Sequence, residues 1–157
     1  MILNLDFDNS FPTLWRHSAR QLVLACGCFD ILTLGHIQHL REARRLGTHL
    51  CVLVTADEFV GKGHGRPIFP ETARTEVVDA IRFVDFTVLN RHPTAVKAIR
   101  WFAPDFYAKG KEYEGRLTLA LEEEMKALES VGGKLVFVGG QEHHTTDVVM
   151  RIREGEG

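Results

Sequence analysis

Five short apolar runs, each followed by a helix-like stretch, constrain this chain more than any other feature. The runs are QLVLACG (21–27), HLCVLVTA (49–56), DFTVLN (85–90), DFYAK (105–109) and KLVFVG (134–139). They carry few charges and little strict alternation, the pattern of strands covered on both faces. Between them, apolar residues return at helical spacing. Ile37, Leu40 and Ala43 share one stripe of a helix that ends near Gly47. A second helix, about 71–84, sets Val77, Val78, Ile81 and Val84 on one face. Pro70 ahead of it and Glu71 in its first turn are start signals. A third covers about 94–102 and is closed by Pro104. The fourth, about 117–130, buries Leu121, Met125 and Leu128 and stops at Gly132 and Gly133. The last, about 146–153, buries Val148, Val149 and Ile152.

This order predicts an α/β fold: a Rossmann-like, doubly wound, five-stranded parallel sheet with helices on both faces and right-handed crossovers. A chain of 157 residues suits one such domain, here 21–153. Residues 1–20 then form a peripheral N-terminal segment and 154–157 a tail. In sheets of this kind ligands sit beyond the carboxyl ends of the strands, where the strand order reverses. Functional residues are therefore expected just after each apolar run.

The totals exclude several partners. A formal charge of −2 argues against a general grip on nucleic acid or an anionic membrane. No apolar run approaches the ~20 residues of a membrane span, and the early acids of the N-terminus do not fit a signal peptide. Cys26, Cys28 and Cys51 are an odd number and read as reduced thiols of a cytoplasmic protein. Cys26 and Cys28 form a C-x-C, but no second pair completes a zinc set, and no metal site is assigned.

The expected rim is rich in glycine, cations and hydroxyls. Gly27, Cys28, Phe29, Asp30, Thr33, Gly35 and His36 follow the first run, and Asp57 with GKGHGRP (61–67) the second. Lys109, Gly110 and Lys111 follow the fourth; Gly139, Gly140 and HHTTD (143–147) follow the fifth. A helix start exposes unpaired N–H groups and about half a positive charge, so anions bind there. Glycine lets the backbone come close, and Lys62, Arg66 and Lys109 can neutralise phosphate oxygens. This is an inventory for a polyphosphate. Neither G-x-x-x-x-G-K-[ST] nor G-x-G-x-x-G occurs, which removes a P-loop ATPase and an NAD site. His36 falls in the first turn of its helix and can donate to the same anion. His39, three residues on, reads as a surface histidine. Asp30 reads as a turn cap, and Trp15 and Trp101 as packing residues.

GCFDILTLGH (27–36) resembles the signature of the cytidylyltransferase-like nucleotidyltransferase superfamily, H-x-G-H or T-x-G-H, as Thr33-Leu34-Gly35-His36. RPIFPETARTEVVDAIRFVD (66–85), PDFYAKGKEY (104–113) and HHTTDVVMRI (143–152) resemble further family segments, in order. Two positions depart: Thr33 replaces the first histidine, and His144 stands where relatives have serine. Arg74 falls where the family has a recurrent arginine, either pairing within its helix or reaching ligand. Within the family the likeness is greatest to the adenylyltransferase domains of the bifunctional heptose 1-phosphate enzymes.

The resemblance implies transfer of a nucleotide from an NTP, ATP by this reading, to a sugar 1-phosphate such as a heptose phosphate, releasing pyrophosphate. It leaves two alternatives: a CTP-dependent glycerol-3-phosphate or polyol-phosphate cytidylyltransferase, and a non-catalytic nucleotide-binding module. By resemblance His36 meets the α-phosphate, Lys62 bridges acceptor phosphate and α-phosphate, and Thr33 and Gly35 support the triphosphate. Arg66 joins Lys62 at the acceptor phosphate. Gly27 and Phe29 supply backbone contacts. Lys109 and Gly110 line the base or phosphate side, and Thr145 and Thr146 hold the outer phosphates. Mg²⁺ would ride on the triphosphate. A homodimer, and a sugar-kinase module alongside, are also implied.

Overall fold

A computed structural model describes residues 1–3, 20–139 and 150. Trp15, His144, Thr145, Thr146 and the expected last helix lie outside the described residues. Within them the chain runs β1 (Ile2–Leu3), β2 (Leu22–Gly27), α1 (Leu34–Arg45), β3 (His49–Thr55), α2 (Glu71–Asp79) and β4 (Phe86–Asn90). It continues through α3 (Val96–Phe102), β5 (Phe106–Gly110), α4 (Leu119–Ser130) and β6 (Lys134–Val138). Short 3-10 turns occupy Asp57–Phe59 and Lys111–Tyr113.

The strands form one parallel sheet in the order β1-β4-β3-β2-β5-β6. β2 pairs with β3 on one side, Leu22 opposite His49, and with β5 on the other, Val23 opposite Phe106. The strand order reverses there, which puts the ligand crevice at the carboxyl ends of β2 and β5. Among the described residues the sheet has six strands, not five. Ile2 and Leu3 add an edge strand beside Thr87 and Val88 of β4. Two residues are too few to show a period in sequence.

Successive residues of β2 point to opposite faces, and each face has its own core. Leu22 and Leu24 pack with Ile99 and Phe102 of α3 and Ala127 and Leu128 of α4. Val23 and Ala25 pack with Leu40 and Ala43 of α1 and Val78 of α2. The sheet is therefore covered on both sides, as its uninterrupted apolar runs require.

Each helix ends for a local reason. α1 begins after Thr33, an extended N-cap residue, and carries Arg44 and Arg45 in its last turn, where the dipole favours cations. α2 is shorter than the sequence pattern, ending at Asp79. Ile81 and Val84 are buried through tight turns to Val78 and Ile81, and Val77 is turned out to solvent. α3 closes on Ala103 in the left-handed region, φ 46°, ahead of Pro104. α4 is capped by the Thr118 hydroxyl, which accepts from the Leu121 amide at 3.2 Å.

Candidate active site

The carboxyl ends of the strands enclose a cleft of about 780 Å³. Gly27, Phe29, Gly35, His36, Lys62, Lys109 and Gly110 all line it. Thr33 and Arg66 do not lie on its wall, and Thr145 and Thr146 are outside the described residues.

The turn after β2 is shaped around one ring. Phe29 has φ 52°, a left-handed conformation that costs a non-glycine residue about 1 kcal/mol or more. Its side chain folds back beneath Gly27, where an added Cβ would stand 2.8 Å from Cζ. That close approach explains the glycine. The same ring meets His36 edge-on, with centroids 5.5 Å apart.

His36 is held from behind. The Thr33 N–H donates to Nδ1 at 3.1 Å, and Thr33 Oγ1 lies 2.9 Å from the same atom. A backbone N–H can only donate, so Nδ1 accepts. The neutral ring then carries its proton on Nε2. Thr33 is thus bonded to the histidine, in the N-cap geometry of α1.

The cations of the rim differ sharply in what they already hold. Arg66 donates from Nε to Asp30 Oδ2 at 2.5 Å, with both side chains buried. Asp30 also accepts from the amides of Ile68 at 2.7 Å and Phe69 at 3.0 Å. Burial opposes its charge. The Phe69 amide, Arg66 and the Ile68 amide outweigh that and hold the carboxyl below its ordinary value. Asp30 therefore pins the Arg66–Phe69 segment rather than capping its own turn. Arg74 is 1% exposed and does not pair within its helix. It donates to the carbonyls of Phe69 at 3.0 Å, Cys28 at 2.5 Å and Thr55 at 2.8 Å, and to Asp57 Oδ1 at 2.7 Å. One side chain thereby ties the ends of β2 and β3 to the loop before α2.

Lys109 is also claimed. Its Nζ lies 2.9 Å from Glu124 Oε2, and over the rings of Tyr107 and Tyr113 at 5.0 and 5.3 Å. Lys62, by contrast, makes no ion pair or hydrogen bond among the described residues. It stands between Gly61 and Gly63, where added Cβ atoms would meet nothing within 4 Å.

Two wall residues escaped the sequence reading. His39 lines the cleft and is not a surface histidine. Desolvation by its neighbours lowers its pKa, while hydrogen bonding to the Val138 backbone and the Glu112 charge pull the other way. Glu124 is 4% exposed and faces the same cleft. Its signal was present: it lies three residues after Leu121 and four before Leu128, on the apolar stripe of α4. Trp101 packs against the core, as expected of it.

Among the described residues no group of three or more His, Cys, Asp or Glu is arranged to hold a metal. The three cysteines are free thiols. Burial pushes the Cys26 thiol up to about 11 despite Lys109 nearby, so it stays protonated at neutral pH. No helix among the described residues is long and apolar enough to cross a membrane.

A crevice at the β2/β5 switch point, with a histidine in the first turn of α1 and glycines around it, defines a nucleotidyltransferase-class α/β domain. The cytidylyltransferase-like family model matches residues 24–150, and the chain belongs to that family. It is 34% identical over 145 residues to the bifunctional protein HldE of Desulfatibacillum aliphaticivorans, covering 90% of this chain and 29% of that protein. It is 32% identical over 159 residues to HldE of Geotalea uraniireducens, covering 98% and 31%. The chain thus spans about three tenths of the length of these relatives. Among solved structures it resembles a lipopolysaccharide core biosynthesis protein from Thermoplasma volcanium, with a TM-score of 0.65 and 29% identity over 79% of this chain and all of that one. A pantoate-beta-alanine ligase from Francisella tularensis shares the fold, with a TM-score of 0.62 at 10% identity over 98% of this chain and 77% of that one.

Proposed function

We propose that this domain transfers the nucleoside monophosphate of an NTP, ATP by preference, to a sugar 1-phosphate such as a heptose phosphate, releasing pyrophosphate. The observation that carries the reading is His36, fixed at the start of α1 inside the cleft with Nδ1 occupied by Thr33. The likeness to HldE proteins and to a lipopolysaccharide core biosynthesis protein supports a sugar acceptor.

An acceptor phosphate monoester has a second pKa near 6 and is mostly dianionic at pH 7. It attacks the α-phosphorus in line as the bond to the pyrophosphate oxygen breaks, and no protein base is required. Catalysis then rests on positioning and on stabilising charge. In this reading His36 Nε2–H donates to an α-phosphate oxygen, assisted by the Gly35 backbone at the helix start. Lys62, unclaimed and on an open loop, bridges acceptor phosphate and α-phosphate. Arg66 serves that phosphate indirectly, by fixing the loop through Asp30. Gly27 and Phe29 shape the turn, Lys109 and Gly110 form the floor, and Thr145 and Thr146 take the outer phosphates. Asp30 is buried and held by Arg66 and two amides away from the cleft wall, so Mg²⁺ would enter on the triphosphate and lessen its charge. A cytoplasmic homodimer and an adjoining sugar-kinase module belong to the same reading.

The test follows pyrophosphate release with Mg²⁺ and ATP or CTP against an aldoheptose 1-phosphate, other sugar 1-phosphates and glycerol 3-phosphate. ATP with the heptose phosphate should be fastest, and His36→Ala should lower kcat roughly 10²–10³-fold. Fastest release from CTP and glycerol 3-phosphate would transfer the assignment to a cytidylyltransferase. NTP binding without release from any pair would make the domain a binding module.

A further inference from the structure

Glu124 is a buried carboxylate that the mechanism above leaves unused. It projects from α4 into the cleft wall that also carries Asn90, Thr94 and Thr118. Oε1 accepts from the Ala95 amide at 2.9 Å. Oε2 accepts from the Tyr107 hydroxyl at 3.1 Å and from Lys109 at 2.9 Å. Burial above all, with the Glu124 carboxylate adding to it, pushes the Tyr107 phenol well above its ordinary range, so it keeps its proton and donates. A carboxylate offers about four acceptor positions, two on each oxygen. Three are filled, and the fourth is on Oε1.

Asn90 adds a second vacancy of the same sign. It is 2% exposed, and its Nδ2 donates to the carbonyls of His92 and Thr94, both at 3.1 Å. Those two bonds fix the orientation of the amide. Oδ1 is buried with no hydrogen-bond partner. A buried polar atom left unpaired costs about 1–3 kcal/mol, which a ligand donor would recover. This wall therefore offers spare acceptors. Its cation, Lys109, is neutralised by Glu124, and the Ala95 amide is spent on the same carboxylate. The chemical complement is a group that donates hydrogen bonds and carries no charge.

We propose that Glu124 is a specificity-determining residue that reads a hydroxyl group of the acceptor, with Asn90 beside it on the same wall. The proposal rests on the nucleotidyl-transfer reading and places the polyol part of the acceptor against α4 and the end of β4. A site built to bond a hydroxyl discriminates strongly against the analogue that lacks it, because its own buried group is then left unpaired.

The experiment takes whichever of an aldoheptose 1-phosphate, mannose 1-phosphate or glycerol 3-phosphate turns over best, with its analogues deoxygenated one position at a time. For wild type and Glu124→Gln, kcat/KM is measured on each and expressed as a ratio to the parent. The ratio cancels the fraction of folded enzyme. In wild type one position should carry a penalty of at least roughly 30-fold, a floor set well below the roughly 10⁴–10⁵-fold of sites built to hydrogen-bond a hydroxyl. In Glu124→Gln that penalty should shrink at least about 5-fold; the ratio to the parent acceptor also cancels any change in NTP binding that follows from releasing Lys109. If the Gln variant does not fold, Glu124→Asp, which keeps the charge and shortens the reach, carries the same comparison. Equal penalties in wild type and variant would overturn the assignment and leave Glu124 as a tie between α4, β5 and α3. Absence of any penalised position would overturn it too. Pyrophosphate release separates the two failures: turnover with unchanged ratios sinks only the role of Glu124, whereas no turnover with any acceptor sinks the reaction and this role together.

Discussion

The loop after β3 and the loop before α2 adjoin in sequence and carry similar cations, yet they are opposite in construction. Arg66 and Arg74 are buried and bonded to Asp30, Asp57 and three carbonyls. Lys62 stands on the exposed Gly61–Gly65 stretch, where Gly63 and Gly65 have φ of 91° and 76° and no group crowds their α-carbons. The first arrangement bonds its cations internally, save for Arg66 Nη2, which is buried without a partner among the described residues, and fixes backbone. The second leaves its cation to be satisfied by something that arrives. Charge type alone does not mark a phosphate ligand; what decides is whether an internal acceptor already holds it.

The largest test of that division is Arg74→Met. It leaves the carbonyls of Phe69, Cys28 and Thr55 without their donor, and the half-exposed Asp57 without its ion pair. A buried acceptor left unpaired costs about 1–3 kcal/mol, so the loss should be roughly 3 kcal/mol or more. Urea unfolding should show that loss, and any residual folded protein should bind NTP with near wild-type affinity. A variant as stable as wild type would show that the guanidinium does not hold the strand ends together.

Lys62→Ala is the converse. Stability should change by less than about 0.5 kcal/mol, as for an exposed position away from special contacts. The kcat for pyrophosphate release should fall roughly 10²-fold, equivalent to about 2.7 kcal/mol of lost charge stabilisation. Unchanged turnover would remove Lys62 from the chemistry. A large drop in stability would place it with the scaffold cations instead.

The same division explains what could be read from the sequence. The five main strands were legible because a strand buried on both faces must be apolar throughout, whatever its neighbours. Gly35, His36 and Lys62 were legible because their setting, a glycine turn or a helix start, is local. The partners of the other cations were not. Asp30 and Arg66 are 36 positions apart, and Glu124 reaches Ala95 across 29, so those contacts exist only once the sheet has formed. The place of Thr33 in the motif points to a phosphate ligand. The bond to His36 Nδ1 depends on the extended conformation at the N-cap, which the residue type does not dictate. Val77 lies outside the core because Arg74, Thr75 and Val78 take the inward face of α2, and Val77, about 100° around the helix from Val78, points away from it.

The smallest effect concerns His39, on the cleft wall but held by the fold. Its pKa is lowered below the ordinary 6.5, chiefly by desolvation. The unfolded chain therefore takes up a proton at a higher pH than the folded one does. By linkage, stability rises with pH through that interval and is lost as pH falls from about 6.5 toward the folded value. Tm should fall between pH 7.5 and 5.5, and His39→Gln should fall less over the same range. His49 is lowered in the same direction, again chiefly by desolvation, but it is present in both proteins, so the difference between their slopes isolates His39. The Asp30 carboxyl titrates elsewhere. Its depressed pKa gives stability that is present above about 4 and lost only below it, outside the window measured. Parallel slopes would mean that the imidazole titrates alike in both states. It would then behave as a solvent-facing group, on the side of Lys62 rather than of Arg74.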